Sequence, residues 1–89
     1  MSHFVYIILC EDNSLYTGYS TDYKRRFSQH LVGKGAKYTK SHRPKEIIYV
    51  KEFPNKSLAL KYEYKIKQLN KKDKIELVNS LDNELYRRK

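Results

Sequence analysis

Phe4-Val5-Tyr6-Ile7-Ile8-Leu9-Cys10 is the stretch on which the fold turns. It is rich in β-branched and aromatic residues and apolar on both faces of a two-residue repeat. That pattern predicts a central strand covered on both sides. Glu11-Asp12-Asn13-Ser14 follows as a turn cluster too short for a helical crossover. Leu15-Tyr16-Thr17-Gly18-Tyr19 then reads as a second strand, so the pair forms an antiparallel hairpin.

Beyond the hairpin the period changes to that of a helix. Ser20 or Thr21 is the expected N-cap, with Asp22 in the first turn and a helix to about Val32, stopped by Gly33. Tyr23, Phe27 and Leu31 form its expected buried stripe. Residues 33–45 read as a loop. Glu46–Phe53 reads as a third strand, ended by Pro54-Asn55. A helix over Ser57–Leu69, capped by Asn55 or Ser57, buries Ala59, Tyr62, Ile66 and Leu69. A last helix over Lys72–Leu81 buries Ile75, Val78 and Leu81, Leu85-Tyr86 docks, and Arg87-Arg88-Lys89 frays. The expected class is α+β, a small three-stranded antiparallel sheet flanked by helices in the order β-β-α-β-α-α. It is one domain over residues 1–89 with its core at about 4–81.

Length and composition exclude much else. In 89 residues a single core leaves about 3–5 kcal/mol of margin, with no room for a second domain. The lone Cys10 excludes an internal disulfide and points to a reducing, cytoplasmic setting, with Cys10 itself a small core residue. The apolar run at the N-terminus is far shorter than a membrane span and lacks the basic start of a signal peptide, so no membrane partner is expected.

The net charge is +9, and its distribution is uneven. Residues 1–22 contain no Lys or Arg. Residues 24–45 contain Lys24, Arg25, Arg26, Lys34, Lys37, Lys40, Arg43 and Lys45 and no acid. Residues 51–74 carry eight Lys against three acids, and two such basic segments on one face would be the electrostatic footprint of a polyanion binder, with nine tyrosines supplying flat surface for stacking. Charge alone leaves DNA, RNA and anionic lipid open as the polyanion; for a nucleic acid, Arg25, Lys34, Lys37, Tyr38, Lys40 and Arg43 are the expected contacts.

Two smaller patterns bear on chemistry. Arg26 and His30 are an i, i+4 pair beside the apolar stripe and project together, able to share one phosphate. Glu63 is the only acid on a helix carrying Lys61, Lys65 and Lys67. It either pairs with Lys67 one turn on or holds a divalent cation against a bound phosphate. His3, Cys10, His30 and His42 have no zinc-type spacing, and Gly33-Lys34-Gly35 lacks the spacing of a phosphate-binding loop.

Together these features resemble the GIY-YIG nuclease superfamily. Phe4-Val5-Tyr6 looks like its first signature element and Tyr16-Thr17-Gly18 like its second. Arg26, His30 and Glu63 match its helix arginine, its His-or-Tyr position and its metal-binding glutamate. The whole chain is similar to a group of small stand-alone bacterial members, the UPF0213 group. Phe4 stands where the family has glycine, Thr17 where it has Ile or Val, and Tyr19 where some repair members carry lysine.

The resemblance implies a DNA endonuclease that hydrolyses phosphodiesters with one Mg²⁺ or Mn²⁺ held by Glu63. Arg26 would clamp the phosphate and Tyr6 act as general base. Tyr16 would position water or phosphate, and His30 would contact the phosphate or move a proton to or from a tyrosine. Because the chain has no room for a targeting module, a protein partner would supply target choice. The alternative is a nucleic-acid-binding domain on the same fold without turnover.

Overall fold

The computed structural model describes residues 2–87. Strands β1 (His3–Cys10), β2 (Leu15–Ser20) and β3 (Pro44–Phe53) form one antiparallel sheet in the order β2-β1-β3. The apolar run is therefore the middle strand, as its two-faced pattern demands. Phe4, Tyr6, Ile8 and Cys10 point to one side and Val5 and Ile7 to the other, all buried.

Each face has its own helix. Helix α1 (Tyr23–Leu31) covers the first with Tyr23 and Phe27. Helix α3 (Lys56–Gln68) covers the second with Ala59 and Ile66. The short helix α2 (Lys37–Ser41) lies between α1 and β3, and α4 (Lys71–Val78) follows α3, before a closing 3₁₀ turn at Leu85–Arg87. The α+β class and the β-β-α-β-α-α order hold, with α2 inserted. Among the described residues no helix is long and apolar enough to cross a membrane.

Several boundaries differ from the sequence expectation. Asp22, not Ser20 or Thr21, caps α1, its carboxylate accepting from the Arg25 amide at 3.1 Å. Ser20 Oγ instead accepts from the Asp22 amide and shapes the approach to the helix. The helix ends at Leu31, and Gly33 takes the left-handed φ of +78° that the stop requires. Leu31 is half exposed, and His30 takes the buried place in the stripe. The segment 33–45 is not a plain loop, since α2 and the first residues of β3 occupy it. Asn55 is the cap of α3, which starts at Lys56, and Leu69 follows it as a partly exposed C-cap.

Helix α4 ends at Val78 and packs through Leu77 and Val78, while Ile75 and Leu81 face outward. The expected burial of those two fails because α4 only grazes the sheet. Leu85 docks on the α1 side, and Arg88 and Lys89 lie outside the described residues. Asn83 stitches the chain end to the outer edge of β3. Its side-chain oxygen accepts from the Val50 amide, and its NH₂ donates to the carbonyls of Ile48 (2.8 Å) and Val78 (2.9 Å). The Glu84 amide donates to the Val50 carbonyl at 2.8 Å, and its carboxylate accepts from the Glu52 amide.

Candidate active site

Tyr6 and Tyr16 stand on neighbouring strands, where Tyr6 pairs with Gly18. The Tyr6 phenol lies across that glycine: a Cβ there would meet its Oη at 2.5 Å and the Tyr16 ring at 3.0 Å. Gly18 is thus the opening that lets Tyr6 turn over β2. The two rings lie 6.5 Å apart, and the imidazole of His30 closes a triangle at 6.0 Å from Tyr6 and 5.2 Å from Tyr16.

His30 reaches this place because it replaces Leu31 in the buried stripe of α1. It is only 1% exposed, and both ring nitrogens are engaged. Nε2 lies 2.9 Å from Tyr6 Oη, and Nδ1 lies 2.7 Å from Thr39 Oγ1. Burial, reinforced by the Arg26 charge, lowers its pKa to about 4, so the ring is neutral at pH 7. Burial also pushes the Tyr6 phenol well above its ordinary value. The charges of Tyr16 and Glu63 add to that rise, and the charge and hydrogen bond of Arg26 oppose it. Tyr16 is raised by burial and by Glu63 and lowered by Arg26.

Arg26, one turn before His30, is partly covered and donates to Gln29 Oε1 at 2.9 Å. Glu63 sits between Ala59 and Ile66 on the sheet side of α3 and is mostly covered. It pairs with Lys67 at 3.4 Å, as the simpler of the two sequence readings expects. Its charge nonetheless acts on both phenols, which puts the carboxylate in their electrostatic reach. Of the five residues singled out as a site, Tyr6, Tyr16 and His30 meet through ring contacts, Arg26 stands one turn from His30, and Glu63 comes from α3 and is linked to the phenols through its charge alone. Of the basic set, Arg25, Lys34, Lys37, Lys40 and Arg43 are exposed. Tyr38 instead joins a stack, 5.8 Å from Tyr16 and 4.1 Å from His42, whose Nδ1 meets Asp12 at 2.6 Å. Tyr19 is tied to His3 at 2.7 Å.

A model of the GIY-YIG catalytic domain matches residues 2–76. The chain belongs to the GIY-YIG catalytic domain family. Within that family its relatives are small bacterial proteins of the UPF0213 group. The UPF0213 protein of Oceanobacillus iheyensis is 49% identical over 82 residues, covering 92% of this chain and 95% of the relative. That of Staphylococcus haemolyticus is 47% identical over 76 residues, covering 85% and 93%. The solution structure of the UPF0213 protein of Bacillus halodurans superposes with a TM-score of 0.60 at 44% identity, covering 92% of this chain and 87% of that one. The solution structure of a protein from E. faecalis gives a TM-score of 0.62 at 38% identity, covering 89% of this chain and 84% of that one. In this GIY-YIG domain the two signature-like stretches form the β1–β2 hairpin, and Arg26 and Glu63 come from helices on opposite faces of the sheet.

The sequence reading passed over Thr39, Gly35 and Gln29. Thr39 is nine residues from His30 across an irregular segment, and no period connects them. A Cβ on Gly35 would lie 2.0 Å from His30 Nδ1, so this glycine is required for space.

Proposed function

We propose that the protein is a metal-dependent nuclease that hydrolyses phosphodiester bonds in DNA. The observation that carries this reading is the meeting of Tyr6, Tyr16, His30 and Arg26 in one neighbourhood within reach of the Glu63 charge. The lone, buried Cys10 suits a reducing compartment, and we place the activity in the cytoplasm. Target choice would come from a protein partner.

The donor set suits one hard divalent cation. Glu63 offers a single carboxylate whose charge is felt by two phenols, and among the described residues no group of three His, Cys, Asp or Glu encloses an ion. Mg²⁺ or Mn²⁺ fits such a site, because these ions keep several waters and accept phosphate oxygens. When bound to Glu63, the ion supplies charge that neutralises the leaving 3′-oxygen and favours the phenolate of Tyr6.

The chain's own groups do the rest. Arg26 holds the non-bridging oxygens with charge-assisted hydrogen bonds as negative charge grows there. Tyr6 Oη takes a proton from the attacking water while its own proton passes to His30 Nε2, 2.9 Å away. With both its nitrogens occupied, His30 suits this proton role better than direct phosphate contact. Tyr16, edge-on to His30 and stacked on Tyr38, orients water or phosphate.

Labelled single-stranded and duplex DNA, incubated with the protein and Mg²⁺ or Mn²⁺, tests the assignment. Wild type is expected to cleave, and Glu63→Ala and Arg26→Ala to lose at least about 100-fold. Undiminished cleavage in both variants would reject it. A second reading, a DNA binder without turnover, is favoured by one observation: burial, Tyr16 and Glu63 together hold Tyr6 protonated. It predicts DNA binding with no cleavage even in alkaline buffer with Mn²⁺.

A further inference from the structure

His30 is gripped from the side away from Tyr6. The grip comes from Thr39 of α2 and from Gly35 and Ala36 just before that helix, residues the proposed chemistry does not use. Thr39 is buried, and its Oγ1 lies 2.7 Å from His30 Nδ1 and 2.9 Å from the Ala36 carbonyl. A carbonyl can only accept, so the contact with Ala36 is made by the hydroxyl proton of Thr39. A hydroxyl has one proton. Once it is spent on Ala36, Oγ1 has only lone pairs to offer His30, and the proton in the 2.7 Å contact belongs to Nδ1. The Ala36 amide donates to Nδ1 at 3.4 Å, a contact that favours a lone pair there and opposes this assignment, but its length makes it the weaker of the two.

We propose that Thr39 is a positioning residue that fixes the tautomer of His30, keeping the proton on Nδ1 and leaving Nε2 as a lone pair aimed at the Tyr6 hydroxyl. The chain of donors then runs one way: Tyr6 Oη–H to Nε2, Nδ1–H to Thr39 Oγ1, Thr39 Oγ1–H to the Ala36 carbonyl. Gly35 completes the clamp, since any Cβ there would displace the ring. The opposite tautomer would point an N–H at Tyr6 and leave the phenolic proton with no acceptor on His30. Like catalytic carboxylates that orient a histidine from behind, Thr39 acts through the ring and touches no reacting atom.

The lock rests on the nuclease reading for its purpose, but its physical content is measurable without activity. Long-range proton–nitrogen NMR correlations distinguish protonated from bare ring nitrogens, and His30→Gln assigns the signals. The wild type is expected to show His30 neutral with the proton on Nδ1. Thr39→Val, which keeps the shape and deletes the hydroxyl, should move the proton wholly or partly to Nε2, and Thr39→Ser should restore the wild-type pattern. A wild-type ring protonated on Nε2, or a Thr39→Val spectrum unchanged from wild type, would overturn the lock. So would a Thr39→Ser spectrum resembling that of Thr39→Val.

Cleavage assays separate this failure from failure of the nuclease reading. Thr39→Val should lower kcat by about 10–100-fold with little change in KM, and Thr39→Ser should recover most of it. Expected spectra without cleavage by the wild type would remove the nuclease and leave the lock standing. Cleavage unaffected by Thr39→Val, with unchanged spectra, would remove the lock alone.

Discussion

Thr17 lies opposite Ile7 on the α3 side of the sheet, and among the described residues its buried hydroxyl has no hydrogen-bond partner. An unpaired buried hydroxyl costs desolvation without return. Thr17→Val should therefore raise unfolding stability by about 1 kcal/mol, read by urea denaturation, and leave the Tyr6 side of the strand unaltered. His30 gives a prediction of opposite sign in pH. Its pKa falls from 6.5 to about 4 on folding, so between those values the unfolded chain binds more protons. Its contribution is complete above pH 6.5 and is lost as pH falls toward 4, to a total of about 3 kcal/mol. Comparing wild type with His30→Gln at neutral and acid pH isolates this slope, because the carboxylates common to both cancel. The wild type should lose more stability than the variant on acidification. Gly18→Ala should cost both stability and activity, since the added methyl collides with the Tyr6 hydroxyl.

At the level of elements, the hairpin, β3 and α3 were readable because each carries an unbroken period between strong breakers. Helix α1 was placed correctly, but its inner face was misjudged. The period alone favours Leu31 over His30, and only the partners of His30, Tyr6 and Thr39, make a buried imidazole tolerable. Helix α2 was invisible because five residues are too few to show periodicity and Lys37, Thr39 and Lys40 are poor cues. Helix α4 was seen but its depth was not, since burial of Ile75 depends on where α3 leaves the sheet. Of the site, the five residues matching the family pattern were legible. The groups that position them were not, as Thr39 and Gly35 act by proximity that no spacing encodes. The caps of α3 and α4 are both asparagines whose side chains accept from the third amide, at 2.9 and 2.8 Å. Asn55→Ala should lower thermal stability by about 1 kcal/mol, more than Asn70→Ala, because α3 carries core residues and α4 none fully buried.

Across the whole molecule the net charge is +9. The basic residues of segment 24–45 other than Arg26 are exposed, while in segment 51–74 Lys51 lies near Asp82 and Glu84 and Lys67 pairs with Glu63. With about five phosphates contacted, DNA affinity should fall with salt at a log–log slope of about −4 to −5. A flat response in a fluorescence titration would remove both nucleic-acid readings. The stitching of β3 by Asn83 and Glu84 has its own consequence. Ile47-Ile48-Tyr49-Val50 is the kind of segment that recruits copies of itself when its outward amides and carbonyls are bare. The last residues of the chain thus act as a guard against self-association. A protein cut after Ser80 should fold its site yet grow into sheet-rich aggregates, visible by light scattering, while the intact chain stays dispersed.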